Sequence, residues 1–208
     1  MRRLPDRIRP GVRVVFVGIN PGLRSSAIGH HFAGYSNRFW KLLYDAGLVP
    51  HPLTCEEDVR LPEWGYGLTN LVARPSAGMD ELGPGEFRAG RRRLLATVRR
   101  VRPKVVVLVG VTVYRSLFLS RGKVRLGPQR ERLAGVRVFV LPNPSGRNAN
   151  YSYQQMCAAY RALRSYLRKI PTRSHPENHA PLTLGPEKGV RNHFPDHVGW
   201  SYSPGPAH

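Results

Sequence analysis

The chain has 208 residues and a formal net charge of +20, from 33 basic and 13 acidic side chains. This length suits one domain of ordinary size with a terminal extension. Two cysteines are too few for a disulfide scaffold, and no apolar run approaches the roughly 18 residues of a membrane span. We therefore expect a cytoplasmic protein, nucleoid-associated if the source is prokaryotic, with no membrane partner.

Arginine supplies most of the positive charge, with 28 of the 33 basic side chains. Arginine binds phosphate through two parallel hydrogen bonds and stacks on flat rings, so a nucleic-acid backbone is the first partner to consider. The alternative is an arginine-rich composition with no binding role.

Four apolar runs are typical of buried parallel strands, and helical patterns separate them. In chain order the sequence predicts a strand over 12–18 (VRVVFVG), a helix over 37–46, a weaker strand over 65–71, a helix over 86–102, a strand over 104–110 (KVVVLVG), a helix over 112–119, a strand over 136–141 (VRVFVL) and a helix over 153–169. Ser36 is placed to be the N-cap of the first helix.

This alternation predicts an α/β fold, a three-layer α/β/α sandwich around a mostly parallel central sheet of four to five strands. We assign residues 1–169 to this domain. Residues 170–208 hold seven prolines and five of the eight histidines and lack a periodic apolar face. We expect a poorly ordered tail there.

Two polar loops follow predicted strands, namely Gly18-Ile19-Asn20-Pro21-Gly22-Leu23 and Asn143-Pro144-Ser145-Gly146-Arg147-Asn148. Parallel sheets bind ligands outside the carboxyl ends of their strands, so we expect the loops to form two walls of one site. The first loop lacks the glycine spacing of a dinucleotide fold and the lysine of a P-loop. The amide of Asn20 can donate and accept hydrogen bonds but cannot act as a general base. A tight turn without chemical function is the alternative.

The residues after the first loop favour a site for a nucleobase. Phe32 is a candidate floor for a base-sized slot, since base–aromatic stacking is worth about 1–3 kcal/mol. An ordinary core aromatic is the alternative, and it is the interpretation we prefer for Phe39 and Trp40. His30 and His31 can hydrogen-bond a base or a phosphate, but adjacent histidines are poorly placed to hold one metal. We expect no metal and no cofactor.

The chain resembles the mismatch-specific uracil-DNA glycosylase and thymine-DNA glycosylase family in three motifs, in the family's order, over about residues 5–168. The first is GINPGL at 18–23, followed by SNRFW at 36–40. The second is GLTNLVARP at 67–75, and the third is NPSG at 143–146.

The resemblance implies a monofunctional enzyme that flips a base out of duplex DNA and hydrolyses its N-glycosidic bond, initiating base excision repair. Uracil is the first candidate base, followed by thymine or modified cytosine opposite guanine. The implied partner is double-stranded DNA with a uracil or a mismatched or damaged base, bound by a monomer. Asn20 would position the attacking water. The implied base pocket is Gly18, Ile19, Pro21, Gly22, Ser25, His31, Phe32 and Asn70. The implied DNA-binding and wedge residues are Asn143, Pro144, Ser145, Gly146, Arg147 and Asn148.

The wedge departs from the bacterial enzyme, which reads roughly Gly-Leu-Ser-Arg where this chain has Gly146-Arg147-Asn148-Ala149. The apolar plug is missing. Arg147 either stacks in the gap left by the flipped base or contacts the opposite guanine, and both alternatives stay open.

No Asp or Glu occurs between Asp6 and Asp45, so the first wall offers no carboxylate to deprotonate the water. General-base help is typically worth about 10²–10⁴-fold, so we predict a slow enzyme. It should cut uracil faster than thymine, which is bulkier and a poorer leaving group. The alternatives are a non-catalytic damaged-DNA binder that retains the pocket, and a nucleotide-using α/β enzyme of another class.

Overall fold

The computed structural model describes residues 3–171, so the predicted tail lies outside the described residues except for Ile170 and Pro171. Ile170 packs into the core with 8% of its surface exposed. The elements in chain order are β1 (Val14–Gly18), α1 (Leu23–Ile28), α2 (Phe39–Asp45), a 3₁₀ segment (Cys55–Trp64), β2 (Tyr66–Asn70), a 3₁₀ turn (Met79–Glu81), α3 (Pro84–Val101), β3 (Val105–Val109), α4 (Val111–Phe118), β4 (Gly127–Leu133), β5 (Val136–Leu141) and α5 (Tyr153–Arg168).

The five strands form one sheet in the order β2-β1-β3-β5-β4. The first four of these are parallel, and β4 pairs antiparallel with β5 at the edge. The predicted α/β sandwich around a mostly parallel sheet is therefore confirmed. The apolar runs became the central strands because a strand covered on both faces needs apolar side chains on both.

Alternate side chains of each strand enter two separate cores. On one face, residues such as Phe16 and Val107 pack against α2, α5 and the first 3₁₀ segment. On the other face, residues such as Val15 and Val106 pack against α3 and α4. Since both faces are covered, a ligand can reach the strands only at the ends of the sheet.

Three local features differ from the sequence prediction. The edge strand β4 was missed because its sequence, GPQRERL, is polar and mostly exposed; charged side chains are common on edge strands, where they discourage pairing with other chains. The short helix α1 was also missed. Ser36 is not an N-cap: α2 begins at Phe39, whose backbone N–H donates to Asn37 Oδ1 (2.9 Å).

Within residues 3–171, no helix is both long and apolar enough to cross a membrane.

Candidate active site at the carboxyl edge of the sheet

The carboxyl ends of the parallel strands meet at one edge of the sheet. β1 ends at Gly18 and β2 at Asn70, and these two residues are register partners. β3 lies between β1 and β5, so the loops that follow β1 and β5 are two strand spacings, or about 10 Å, apart. In the sheet, β2 lies on one side of β1 and β3 lies on the other side. The end of β1 is therefore a topological switch point, where open α/β sheets bind their ligands.

Gly18, Phe32 and Asn70 converge at this switch point. A methyl group on Gly18 would lie 2.5 Å from Asn70 Oδ1 and 3.6 Å from Phe32 Cζ. Only glycine lets the Asn70 oxygen approach the end of β1 so closely. We call these three residues the Gly18 slot; it presents an aromatic ring and an amide oxygen beside a bare backbone.

Phe32 is a rigid platform. Its φ of +53° lies in the left-handed region, which is uncommon for a bulky side chain and persists where the surroundings enforce it. Its ring stacks on that of Phe39, with centroids 4.0 Å apart and 19° between the planes. Phe39 is fully buried and Trp40 is 6% exposed, so their interpretation as core aromatics is confirmed.

The structure places the ring of His31 behind Asn70 rather than in the slot. His31 is 1% exposed, and its Nε2 lies 3.0 Å from the carbonyl oxygen of Pro5. A carbonyl only accepts, so Nε2 carries the ring proton. Burial lowers the pKa of His31, which keeps the ring neutral and leaves Nδ1 as an acceptor. This Nδ1 lies 3.4 Å from Asn70 Nδ2. Asn70 thus turns its amino group to His31 and its Oδ1 to the slot.

A buried carboxylate that the sequence did not indicate holds this arrangement. Asp58, in the first 3₁₀ segment, is fully buried and accepts from Arg7 Nε and from the backbone N–H of His31, each at 2.9 Å. Its Oδ1 also lies 3.1 Å from His30 Nδ1. A buried charge needs such partners to be tolerated. Asp58 therefore fixes the backbone that leads into Phe32, and its oxygens already have partners.

Asn20 is held by the loop that follows β2. Its Nδ2 donates to Ser76 Oγ (2.7 Å), to the carbonyl of Pro21 (3.1 Å) and to that of Arg74 (3.2 Å). Three acceptors occupy one amino group, which fixes the amide orientation. Among residues 3–171, none donates to the Oδ1 of Asn20, so this oxygen can accept from a ligand or a water.

The loop that holds Asn20 is itself anchored to α3. The hydroxyl of Ser76 in turn donates a hydrogen bond to the carbonyl of Gly78. Arg74 makes a two-point contact with Glu86, Nε to Oε1 at 2.7 Å and Nη2 to Oε2 at 3.0 Å. The sequence analysis missed Ser76 and Glu86; Ser76 stands directly after the motif that ends at Pro75, and that position was the available signal.

The other predicted pocket residues have backbone or packing roles. Ile19 is half-buried against the core that contains α3, Pro21 is buried, and Gly22 is exposed directly before α1. Ser25 is 5% exposed, and its Oγ accepts from the backbone N–H of Ala33 (3.0 Å). The Ser25 oxygen thus holds the backbone next to Phe32, and its place in the base pocket stays a prediction.

The loop 143–148 is folded on itself by its own side chains. The Oδ1 of Asn143 accepts from the backbone N–H of Ser145 (3.0 Å), and Ser145 Oγ accepts from that of Arg147 (3.2 Å). Asn148 Nδ2 donates to the carbonyl of Asn143 (2.8 Å). The backbone amides of Ser145 and Arg147 are therefore used inside the loop and are not available to a phosphate. The hydroxyl proton of Ser145 and the exposed guanidinium of Arg147 remain available to bind a phosphate.

This loop packs against the segment between Phe32 and α2. The backbone N–H of Arg38 donates to the carbonyl of Pro144 (2.9 Å). Gly146 lies so close to Ser36 that a methyl group would lie 2.7 Å from the Ser36 carbonyl oxygen. Residues 34–38 and 143–148 thus form one continuous rim beside the Gly18 slot, which we call the rim.

A cavity of about 290 Å³ lies at the opposite, amino-terminal edge of the sheet, lined by residues that include Arg13, Tyr66 and Arg164. It contains none of the predicted site residues.

Comparison with known proteins places the chain in a recognised group. Residues 5–168 match the family model described as the uracil DNA glycosylase superfamily. The fold is similar to a solution NMR structure of a candidate uracil DNA glycosylase from Methanosarcina acetivorans, with a TM-score of 0.54 and 18% identity. The match covers 78% of this chain and 98% of that one. At this identity the likeness concerns the fold.

Proposed function

The chain belongs to the uracil DNA glycosylase superfamily, and from that membership we propose that it is a monofunctional DNA glycosylase of the mismatch-specific uracil and thymine type. It flips uracil out of duplex DNA and hydrolyses the N-glycosidic bond, the first step of base excision repair. Thymine opposite guanine is a slower substrate, and modified cytosine opposite guanine is a further candidate. The protein acts as a monomer, without a cofactor.

The Gly18 slot is the observation that carries this proposal. The face of Phe32 that does not stack on Phe39 can take a flat ring, since every nucleobase has a stacking face. Asn70 offers Oδ1 because its amino group is turned to His31. An acceptor at this point suits the N3–H of uracil. Cytosine carries a lone pair at N3 instead, so the fixed amide favours uracil over cytosine.

Asn20 supplies the hydrolytic part of the site. Its amino group is saturated by three acceptors, so only Oδ1 can bind the water that attacks the sugar. Asparagine orients this water without taking its proton, so the rate depends on how well the base departs. Uracil leaves faster than thymine for this reason, and thymine is also the bulkier base.

The rim supplies the grip on DNA. Its loop 143–148 presents the Ser145 hydroxyl and the exposed Arg147 side chain on a chain of net charge +20. Arginine and serine side chains are common phosphate ligands in protein–DNA complexes, where such contacts set register and orientation. Duplex DNA is therefore the proposed partner.

The test is incubation of the full-length protein with duplex DNA that holds one G·U pair, followed by alkali to break abasic sites. We expect wild type to produce strand breaks and Asn20→Ala to lose at least a hundredfold in single-turnover rate, because misplacing a reactant by about 1 Å has that cost. Gln129→Ala, on the edge strand β4, is the control and should match wild type. No break from wild type at stoichiometric enzyme and long times contradicts the proposal.

The altered wedge and the high charge favour one second candidate, a damaged-DNA binder that retains the slot without turnover. It predicts tight, salt-sensitive binding that Asn20→Ala leaves unchanged, and no abasic product. A large rate loss in Asn20→Ala with binding preserved excludes it.

A further inference from the structure

The rim carries an aromatic side chain that the proposed function does not use. Tyr35 is 89% exposed, more than any other aromatic side chain among residues 3–171. It stands three residues after Phe32 and directly before Ser36, which packs against Gly146. Tyr35 therefore lies between the base slot and the DNA-gripping loop, on the same edge of the sheet.

Tyr35 is held in place in spite of its exposure. The guanidinium carbon of Arg24 lies 3.8 Å from the ring centroid, and Arg24 Nη1 donates to the Tyr35 hydroxyl (2.7 Å). Arg24 is in turn tethered through Nε to the carbonyl of Ala33 (2.7 Å). A cation backs one face of the ring, and the opposite face is open to solvent. An exposed aromatic is usually free to rotate, whereas this one is oriented before any ligand arrives.

Flipping a nucleotide leaves an unstacked gap in the duplex, and proteins fill such gaps with apolar or aromatic side chains. The loop 143–148 contributes none: its side chains are those of Asn, Pro, Ser and Arg, and Pro144 is buried. Arg147 carries a charge that loses water when it enters the gap, so an uncharged ring fills the gap at a lower free-energy cost. The aromatic surface that the loop lacks is present next to it on residue 35.

We propose that Tyr35 is a base-stacking site, whose open ring face packs on a nucleobase exposed at the opened step of the duplex, with Arg24 as its fixed support. The chemical class of ligand is an unstacked nucleobase in duplex DNA. This inference rests on the proposed function, since it assumes that the slot receives a flipped nucleotide. It assigns the plug to the segment that follows Phe32 and not to the loop after β5.

The test measures binding to a duplex that holds one tetrahydrofuran abasic analogue opposite guanine, with the undamaged duplex as reference, by fluorescence anisotropy. The analogue cannot be cleaved, so turnover is not needed. Tyr35→Ala should bind the abasic duplex about five- to hundredfold more weakly, the range expected for one lost stacking contact. Its affinity for undamaged duplex should stay within twofold of wild type. Tyr35→Phe keeps the ring and should restore abasic binding to within threefold.

Tyr44→Ala is the matched control, because Tyr44 is also exposed (42%) but borders the groove that contains Gly47 and Arg164, away from the rim. It should bind both duplexes like wild type. The proposal is overturned if Tyr35→Ala binds the abasic duplex like wild type, if it loses affinity equally for both duplexes, or if Tyr44→Ala loses as much.

The two proposals fail in different ways. If wild type excises uracil and Tyr35→Ala keeps full abasic affinity, only the stacking site is wrong. If wild type excises nothing but abasic binding depends on Tyr35, the glycosylase proposal is wrong and the stacking site stands.

Discussion

Gly18 is the residue at which one methyl group should do most harm to the proposed chemistry. A Cβ there would meet Asn70 Oδ1 at 2.5 Å and would fill the space beside Phe32. Overpacking of this kind costs about 1–3 kcal/mol when neighbours must shift. We expect Gly18→Ala to fold but to excise uracil at least tenfold more slowly, measured as the single-turnover rate on a G·U duplex.

Gly85→Ala is the control for that substitution. Gly85 lies in the first turn of α3, and its added methyl would meet only the far end of Arg88 at 3.9 Å. Alanine is the better helix former by about 1 kcal/mol, so this variant should keep its rate and gain slightly in stability. A Gly18→Ala protein as active as wild type would show that the base does not occupy the slot.

His31 makes the stability of the protein sensitive to pH. Burial lowers the pKa of the ring from its usual 6.5, so the folded state resists a proton that the unfolded state accepts. The folded protein therefore has its full stability above pH 6.5. Its free energy of unfolding decreases as the pH falls below 6.5, by at most about 1.4 kcal/mol per pH unit for one proton. We expect the free energy of unfolding of wild type to fall relative to that of His31→Gln between pH 7.5 and pH 5.5.

Urea unfolding of both proteins at the two pH values provides the measurement. The two proteins differ only at residue 31, so the difference between them isolates the effect of that side chain. A constant difference across this range would mean that His31 takes up its proton as readily in the folded protein as in the unfolded chain.

The residues of the site differ in how far the sequence predicts their positions. Asn20 and Phe32 stand in or next to a motif that follows an apolar strand, so their placement near a strand end was predictable. Asp58 lies 27 residues from His31, in a stretch without a motif, and only the folded chain brings the two together. His31 was visible in the sequence, but the carbonyl of Pro5 that sets its tautomer was not.

At the scale of elements, α3 supports the site through its first turn. Glu86 accepts from the backbone N–H of Gly83 and from Arg74, whose carbonyl accepts from Asn20. The Arg74 guanidinium, followed by the Gly83 amide, lowers the pKa of Glu86 to about 2. Its contribution is therefore complete above a pH of about 4.5 and is lost as the pH falls towards 2.

We expect Glu86→Gln to be less stable than wild type at pH 7 and to approach it as the pH falls from 4.5 to 2.5. Chemical unfolding across this range measures the difference. Because the loop that holds Asn20 loosens, the variant should also excise uracil more slowly at pH 7. A stability difference that stays constant down to pH 2.5 would show that the carboxylate does not act through Arg74.

The elements differ in how much of them the sequence reveals. β3 is a continuous apolar run, and β5 is apolar except for Arg137. Ser152 and Gln155 form a reciprocal cap at the start of α5. The local pattern was therefore enough to predict both kinds of element. β4 is polar because an edge strand is partly exposed to solvent. A polar sequence of this kind cannot be distinguished from a loop by its pattern. The six-residue α1 is too short to show a helical period.

At the scale of the whole molecule, the topology decides what the charge can do. Basic residues cover much of the chain, but only those at the carboxyl edge of the sheet can touch DNA that reaches the Gly18 slot. α5 begins at that edge and runs away from it, so Arg168 at its far end borders the cavity on the opposite edge. The net charge of the sequence therefore predicts a polyanionic partner. Which arginines can contact that partner becomes clear only from the fold.

Arg147 and Arg168 are both exposed, and their substitution separates local contact from overall charge. Each phosphate contact adds about −0.9 to the slope of log K against log salt for duplex DNA. If Arg147 grips a phosphate, Arg147→Ala should reduce the slope by about one, while Arg168→Ala, with the same charge change, leaves it unaltered. If Arg147 instead contacts the guanine opposite the flipped base, Arg147→Ala should leave the salt slope unchanged. Its affinity should then fall only for duplexes that have guanine at the opposite position. Equal slope changes in both variants would assign DNA binding to the net charge and remove the rim from the proposed interface.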